Sequence, residues 1–331
     1  MSLSLLPPLP ESLQVEVTSA CNLRCAMCLV RYRPPVNKLA GALPLELYRR
    51  LLDEVPGLRR LTLQGLGEPL LSPYLLDMIR LAKARGIEVG FNSNATLLSR
   101  TRADALVEAG LDWLHVSLDG ARAGTYEAIR DGADFDTVVG NLAGLVAAKR
   151  AAGGDKPWIR VVFVAMRRNI AELPELVELM GTVGVQEVRV QNLSHDFGDT
   201  PDDGAYREIR DYTAAEALWS GADRAATTAA FAAARTRAEE SGVLLRLPRL
   251  DGAPGPGCTW PWDGAYVTSA GIVQPCCMVM GDDRVALGDL RTGTSFRDIW
   301  EGPAYQDFRA RLSGDEPPEV CRGCALYQRT F

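Results

Sequence analysis

The sequence predicts an α/β protein, a partial (β/α)6 barrel of TIM type joined to a small cysteine-rich C-terminal domain. Two patterns point there. Strand-like and helical runs take turns from residue 13 to residue 191, and repeated βα units of that kind build a parallel sheet with right-handed crossovers. The cysteines fall into two sets, Cys21 to Cys28 and Cys258 onward, with the Pro/Gly-rich stretch Asp251–Gly257 standing before the second. The expected division is 1–250 for the barrel, including a helical extension at about 205–241, and 251–331 for the tail.

Composition narrows the class. A chain of 331 residues with 47% hydrophobic content can bury a full core. No apolar run approaches the roughly 20 residues of a membrane span, and Met1–Pro10 lacks a basic n-region, so a cytoplasmic protein with no membrane partner is expected. With no export signal and an ample core, the eight cysteines are better used as metal ligands than as disulfides. A formal charge of −6 without clustered Lys and Arg argues against a nucleic-acid partner.

Taken in order, the strand-like segments are 13–18, 60–64, 88–92, 114–119, 158–165 and 186–191, with a further one at 242–247. Helical patterns lie between them at 45–55, 73–85, 100–109, 135–152 and 170–183, and 192–203 reads as a polar loop. Barrels of this type place the active site at the C-terminal ends of their strands. Alternation puts Glu16 and Thr18, Thr62 and Gln64, Asn92 and Asn94, His115, Ser117 and Asp119, and Arg189 and Gln191 on the inward face. Polar residues recur there, which implies a polar ligand.

The first strand runs into Cys21-Asn22-Leu23-Arg24-Cys25-Ala26-Met27-Cys28. Structural zinc sites and most iron-sulfur clusters close with four protein ligands. Three thiols leave one coordination position open, the condition for a reactive metal centre; a thioredoxin-like Cys25-x-x-Cys28 pair or half of a split zinc site are the plainer readings. The C-x-x-x-C-x-x-C loop after a strand, followed some forty residues later by Gly65-Leu66-Gly67-Glu68-Pro69, resembles the radical S-adenosylmethionine (SAM) superfamily. That resemblance implies a [4Fe-4S] cluster on Cys21, Cys25 and Cys28 whose free iron chelates SAM. It also implies SAM contacts at Gly65, Gly67 and Glu68, at Asn92 and Asn94, at Ser117 and Asp119, and at Met27, where the family often has an aromatic residue. Ordinary turn chemistry would equally account for the polar residues at 92–96 and 116–120.

The tail supplies Cys258, Cys276, Cys277, Cys321 and Cys324. A hairpin returning Cys276 towards Cys258, closed by Cys321-x-x-Cys324, offers four thiolates, which suit zinc or an iron-sulfur cluster alike. The arrangement resembles the auxiliary-cluster domains of the superfamily, called SPASM, or twitch in the one-cluster form, and so implies an auxiliary [4Fe-4S] cluster on Cys258, Cys276, Cys321 and Cys324. Within the superfamily the spacing is similar to that of the 2-deoxy-scyllo-inosamine and spectinomycin-pathway dehydrogenase type, in antibiotic biosynthesis. The resemblance then implies oxidation of a secondary alcohol of an aminocyclitol or sugar to a ketone, with a flavodoxin- or ferredoxin-type electron donor. Candidate acid/base or orienting groups are His115, Arg189 and His195. Cys277 reads either as a buried small residue or as the hydrogen donor of a sugar epimerase. The same cysteine sets also suit a peptide-modifying maturase or a non-catalytic electron carrier.

Overall fold

The computed structural model describes residues 4–32, 41–200, 206–218, 223–250, 257–279 and 284–330. Six strands follow one another through the first part of the chain: β1 (Ser12–Val15), β2 (Arg60–Thr62), β3 (Glu88–Ser93), β4 (Trp113–Ser117), β5 (Trp158–Val164) and β6 (Glu187–Gln191). The helices that alternate with them are α1 (Leu29–Tyr32), α2 (Leu45–Glu54), α3 (Leu75–Ala84), α4 (Arg100–Glu108), α5 (Ala123–Ile129), α6 (Phe135–Ala151) and α7 (Leu173–Val183). The extension forms α8 (Arg207–Glu216) and α9 (Arg224–Ser241) and returns as β7 (Leu244–Arg246). The tail contributes α10 (Trp260–Asp263), β8 (Gly264–Val267), β9 (Ile272–Gln274), β10 (Gly288–Asp289), α11 (Phe296–Trp300), α12 (Pro303–Ser313) and α13 (Glu319–Arg322). Residues 251–256 of the expected linker, 201–203 of the polar loop and 219–222 between α8 and α9 lie outside the described residues.

One sheet joins all these strands in the order β10-β9-β8-β1-β2-β3-β4-β5-β6-β7. Every pairing from β8 across to β7 is parallel, and only the β8-β9-β10 ribbon is antiparallel. The sheet therefore extends past the six expected barrel strands at both ends. Six strands alone would leave β1 with a bare row of amides and carbonyls, and β8 covers it, Ser12 to Val15 standing against Gly264 to Val267.

The two faces of the sheet differ. Leu13 and Val15, Leu61, Val89 and Phe91, Leu114 and Val116, Ile159, Val161 and Phe163, and Val188 and Val190 point to the helix side and are buried there. They meet Tyr48, Leu51 and Leu52 of α2, Met78 and Ile79 of α3, Leu142 and Leu145 of α6, and Leu176 and Met180 of α7 in one core. Each such aliphatic side chain contributes about 1.5–3 kcal/mol on burial. Tail residues Phe296, Ile299, Trp300 and Tyr305 join the same core, whereas the tail cysteines sit beside a second, smaller cluster around Trp262, Phe308 and Tyr327. Arg309, fully buried between the rings of Trp300 and Tyr305 at 4.2 Å from each centroid, donates to the carbonyls of Leu5, Pro261 and Trp300. That clamps the N-terminal segment beneath the tail.

The opposite, concave face carries the polar alternates Gln14, Asn92, His115, Ser117, Arg160, Arg189 and Gln191. A Cβ on Gly90 would lie 2.1 Å from the Trp113 indole. Only glycine leaves room for the ring at that strand crossing. Gly90→Ala is expected to destabilise the fold by about 1–3 kcal/mol through overpacking, checked by denaturant unfolding against wild type.

Candidate functional site

The cysteine loop is held from below. Arg24 and Ala26 donate backbone N–H groups to the carbonyls of Asp131 and Ile129, and Cys28 N–H closes a turn on Cys25 O at 3.0 Å. Tyr32 in α1 donates its hydroxyl to Ala26 O. The segment that ends α5 thus brackets the loop on both sides, and its central residue, Arg130, aims a guanidinium at Cys25 Sγ, 3.7 Å away. Arg130 is in turn gripped by Asp119, a fully buried carboxylate whose Oδ2 lies 2.6 Å from its Nε and whose Oδ1 accepts from Val164 N–H at 2.7 Å.

Burial pushes the thiols of Cys21 and Cys25 up and that of Cys28 up to about 12, and each is raised further by a neighbour's sulfur, except Cys25, where Asp119 plays that part and Arg130 opposes it. A buried group of sulfurs that resists ionisation in its own company fits a cationic metal centre, which takes thiolates and releases their protons. Among the described residues no three His, Cys, Asp or Glu side chains converge closely enough to hold a single ion, and a cluster several ångströms wide needs its ligands further apart than an ion does.

Facing the loop is the turn Gly65–Pro69. A Cβ on Gly65 would fall 2.2 Å from Glu16 Cγ, and one on Gly67 would fall 2.1 Å from Thr18 O and 2.6 Å from Ala20 O. These glycines let the turn lie flat on the strand end that launches the cysteine loop. Glu68 N–H donates to Ala20 O at 2.7 Å, while its buried carboxylate accepts from Ser93 Oγ, Asn94 N and Leu70 N. Burial, outweighing those bonds, raises the Glu68 carboxyl above its ordinary range. The side chain expected to meet SAM is thus committed to the ends of β2 and β3.

Glu16 is the joint of the whole end. Its Oε2 accepts from Leu66 N at 2.7 Å and Tyr266 Oη at 2.9 Å, and its Oε1 accepts from Ser269 N at 3.1 Å and Ser269 Oγ at 2.7 Å. One carboxylate therefore ties the cysteine-bearing strand to the glycine turn and to the tail hairpin.

Of the other expected SAM contacts, Asn94 hydrogen-bonds Asn22 inside the cysteine loop at 3.0 Å and Thr96, and Asn22 reaches Thr96 in return. Asn92 and Ser117 stand on the concave face with no side-chain hydrogen bond among the described residues. Met27 packs beside Ile129, Met166 and Leu193, an apolar patch beside the loop.

The candidate acid/base groups fare differently. His115 stacks on Trp113 at 4.3 Å, and its Nε2 lies 3.0 Å from Arg160 Nη1. Burial, then the cations Arg160, Arg60 and Arg189, push it down to about 3, so the ring is neutral at ordinary pH and accepts the Arg160 hydrogen. His195 is 1% exposed, with Nδ1 accepting from Phe197 N–H and Nε2 donating to Val320 O at 2.6 Å. Both ring nitrogens are committed, and with the backbone pairs Asp196 N to Gly323 O and Ala325 N to Ser194 O they fasten the loop after β6 to the Cys321–Cys324 turn. That geometry makes His195 a tie between barrel and tail and leaves it no free nitrogen for proton transfer. Arg189 lines a cavity on the concave face.

In the tail, burial is the largest influence raising Cys258, Cys276, Cys277, Cys321 and Cys324, Cys277 and Cys321 reaching about 12. Sulfurs act on one another across the group, Cys276 feeling Cys277, Cys324 and Cys321, and Cys277 feeling Cys324 and Cys258. Spacing singled out four of these thiols; the fold brings Cys277 into the same company. Arg130 joins the site without any mark in the sequence. A buried Asp119 demands a cation, but nothing in the residue order distinguishes Arg130 from Arg122 as its source.

A metal-loop barrel with a second thiol centre on one sheet defines a class, and the sequence comparisons agree with it. The profile of the Radical SAM superfamily matches residues 15–180, and that of an iron-sulfur cluster-binding domain, SPASM, matches residues 258–325. The chain belongs to the radical SAM superfamily. Its cofactors are SAM with a [4Fe-4S] cluster and auxiliary iron-sulfur chemistry in the tail. It is 32% identical to the tungsten-containing aldehyde ferredoxin oxidoreductase cofactor-modifying protein of Pyrococcus furiosus over 192 residues, 55% of this chain and 51% of that protein, so it spans about half of that relative. It is 28% identical to the AdoMet-dependent heme synthase of Methanosarcina barkeri over 334 residues, 95% of this chain and 91% of that one. Among solved structures, SuiB of Streptococcus suis bound to precursor peptide SuiA overlays with a TM-score of 0.67 at 17% identity, covering 97% of this chain and 71% of that one. BtrN in complex with AdoMet and 2-DOIA overlays with a TM-score of 0.52 at 18% identity, covering 93% and 88%. At such identities the overlays show the shared fold. No helix of the described residues is long and apolar enough to cross a membrane.

Hydrogen bonds to cluster sulfurs help set reduction potential. Removing the Arg130 cation should shift the potential of the cysteine-loop cluster to a more negative value. Because Arg130→Met alone would strand Asp119 as a buried charge, at a cost of about 3–5 kcal/mol, the comparison is Asp119→Asn/Arg130→Met against wild type, read by EPR-monitored redox titration at matched iron content.

Proposed function

We propose that this chain is a radical SAM oxidoreductase that converts a secondary alcohol of a hydroxyl-rich small molecule, a sugar or aminocyclitol, to a ketone. The observation that carries the reading is the joint at Glu16 together with the β1–β8 pairing, which build the tail thiols onto the strand that bears Cys21, Cys25 and Cys28. When bound, the two centres supply a 5'-deoxyadenosyl radical at one end and an electron acceptor at the other. This chain's residues supply the rest. Asn92 and Ser117 present uncommitted polar groups on the concave face, and His115, kept neutral, accepts from Arg160. Loss of a hydrogen atom from the carbinol carbon, then of the hydroxyl proton and one electron, leaves the carbonyl; a neighbouring acceptor for that electron is what distinguishes oxidation from a simple return of hydrogen.

Peptide modification is the second reading. SuiB, seen with a precursor peptide, shares the fold over almost the whole of this chain, and such an enzyme would use the same oxidative coupling on a peptide side chain. The epimerase reading needs Cys277 as hydrogen donor, and its packing among the tail thiols favours a structural place instead.

Anaerobically reconstituted protein with SAM, reductant and a cyclitol or sugar substrate is expected to yield 5'-deoxyadenosine and a carbonyl product in equal amounts. Cys277→Ala should leave that ratio intact, whereas Cys321→Ala/Cys324→Ala should still cleave SAM but make less than a tenth of the ketone. 5'-Deoxyadenosine without carbonyl product would sink the dehydrogenase reading, and an inverted alcohol in place of the ketone, with turnover stalled and product diverted in Cys277→Ala, would favour the epimerase.

A further inference from the structure

The concave face holds a cavity of about 290 Å³ at its β5–β6–β7 side, lined by Arg160, Glu187, Arg189, Arg246, Leu247 and Pro248. Three guanidinium groups share it with one carboxylate. Glu187 is already engaged: its Oε2 accepts from Arg160 Nη2 and Trp158 Nε1, each at 2.9 Å, and its Oε1 lies 2.9 Å from Arg160 Nε. Arg160 also donates to His115. Arg189 and Arg246 stand opposite each other in the β6–β7 register and make no hydrogen bond or ion pair among the described residues. Burial, then Arg160, and to a lesser degree Arg246, pull the Arg189 guanidinium below its ordinary range, the mark of a cation placed in partly desolvated and like-charged surroundings. Further along the same face Arg60 lies over Trp113 at 5.2 Å and pairs with Glu88.

Arg189 is half-buried beside like charge while Arg246 opposite it is exposed, so the two cations repel one another and an anion placed between them would offset that repulsion. Paired guanidinium forks match the oxygens of phosphate and carboxylate in a way that a neutral sugar does not. In a chain whose net charge is −6, an unbalanced basic hollow is not a general surface property. The volume sits at the lower edge of small-molecule sites, enough for an anionic head group with its nearest ring or chain atoms.

We propose that this cavity binds the oxyanion of the substrate, a phosphate or carboxylate carried on the hydroxyl-rich molecule whose carbinol carbon is oxidised, with Arg189 and Arg246 as its ligands and Arg160 held in place by Glu187. The inference rests on the proposed oxidation, which is what makes the bound anion a substrate, and it narrows that reading. An aminocyclitol bearing only amines would bring a further positive charge to the hollow, whereas a phosphorylated or carboxylated sugar or cyclitol would neutralise it.

The test is isothermal titration of the reconstituted holoprotein with pyrophosphate and, in a separate arm, with succinate, repeated for Arg189→Gln, Arg246→Gln and the double variant. Saturable binding of one equivalent is expected in at least one arm, and the arm that saturates identifies phosphate or carboxylate as the group recognised. Affinity should weaken with added salt and fall at least tenfold in each single variant. Arg246 is exposed at the edge strand, so Arg246→Gln keeps the fold, which circular dichroism checks independently. No saturable binding in either arm, or wild-type affinity in the double variant, overturns the proposal. SAM cleavage is measured on the same samples: cleavage without anion binding removes the proposal and spares the oxidation, while anion binding without any SAM cleavage removes the oxidation and leaves the anion site standing.

Discussion

The carboxylate of Glu16 holds the cysteine loop, the glycine turn and the tail in one arrangement. It is buried, and a buried anion is tolerated only with its oxygens hydrogen-bonded. Four donors from two distant parts of the chain meet that need: Leu66 N from the glycine turn, and Tyr266 Oη with the amide and hydroxyl of Ser269 from the tail. Removing any one partner leaves part of the charge unsatisfied, so the cysteine-loop strand, the turn that faces it and the tail hairpin hold their positions together. Gly65 belongs to the same arrangement, since any larger residue would occupy the space of the Glu16 side chain.

From this joint the two halves of the site follow. On one side the loop of Cys21, Cys25 and Cys28 hangs from the segment around Arg130, whose guanidinium is steadied by Asp119 and placed at a sulfur. On the other side the tail thiols are gathered by a small apolar cluster and fastened to the barrel through His195 and the Ser194–Asp196 backbone. Between them the concave face is polar at the cysteine end and strongly basic across β5 to β7. Separation of apolar and polar residues onto the two faces of each strand makes both a helix-backed core and a ligand-facing interior from the same short segments.

Much of this is legible in the sequence, for physical reasons that also mark where legibility stops. Strand alternation and helix periodicity are local, so β1 to β6 and α2, α3, α4, α6 and α7 fall within a few residues of their expected bounds. The two cysteine sets are legible because ligand spacing is itself local. What depends on partners far apart is not. The parallel pairing of β8 on β1 joins residues some 250 positions apart, and Tyr266 to Glu16 has the same reach. Strand pattern places Glu16, His115 and Arg189 on the inner face, yet cannot say that Glu16 is a joint, that His115 is held neutral by Arg160, or that Arg189 faces Arg246. Short α5 escapes detection because seven residues with one buried tyrosine and one buried isoleucine give too little periodicity.

In the proposed reaction the two thiol centres act as one redox unit because the fold builds them on one sheet. Freeze-quenched EPR of a single turnover reads this coupling, with the tail cluster oxidised at the start and substrate and SAM in excess. The signal of a reduced tail cluster should rise in step with 5'-deoxyadenosine and with carbonyl product. Product formed at full yield while the tail cluster stays oxidised throughout would contradict the coupling.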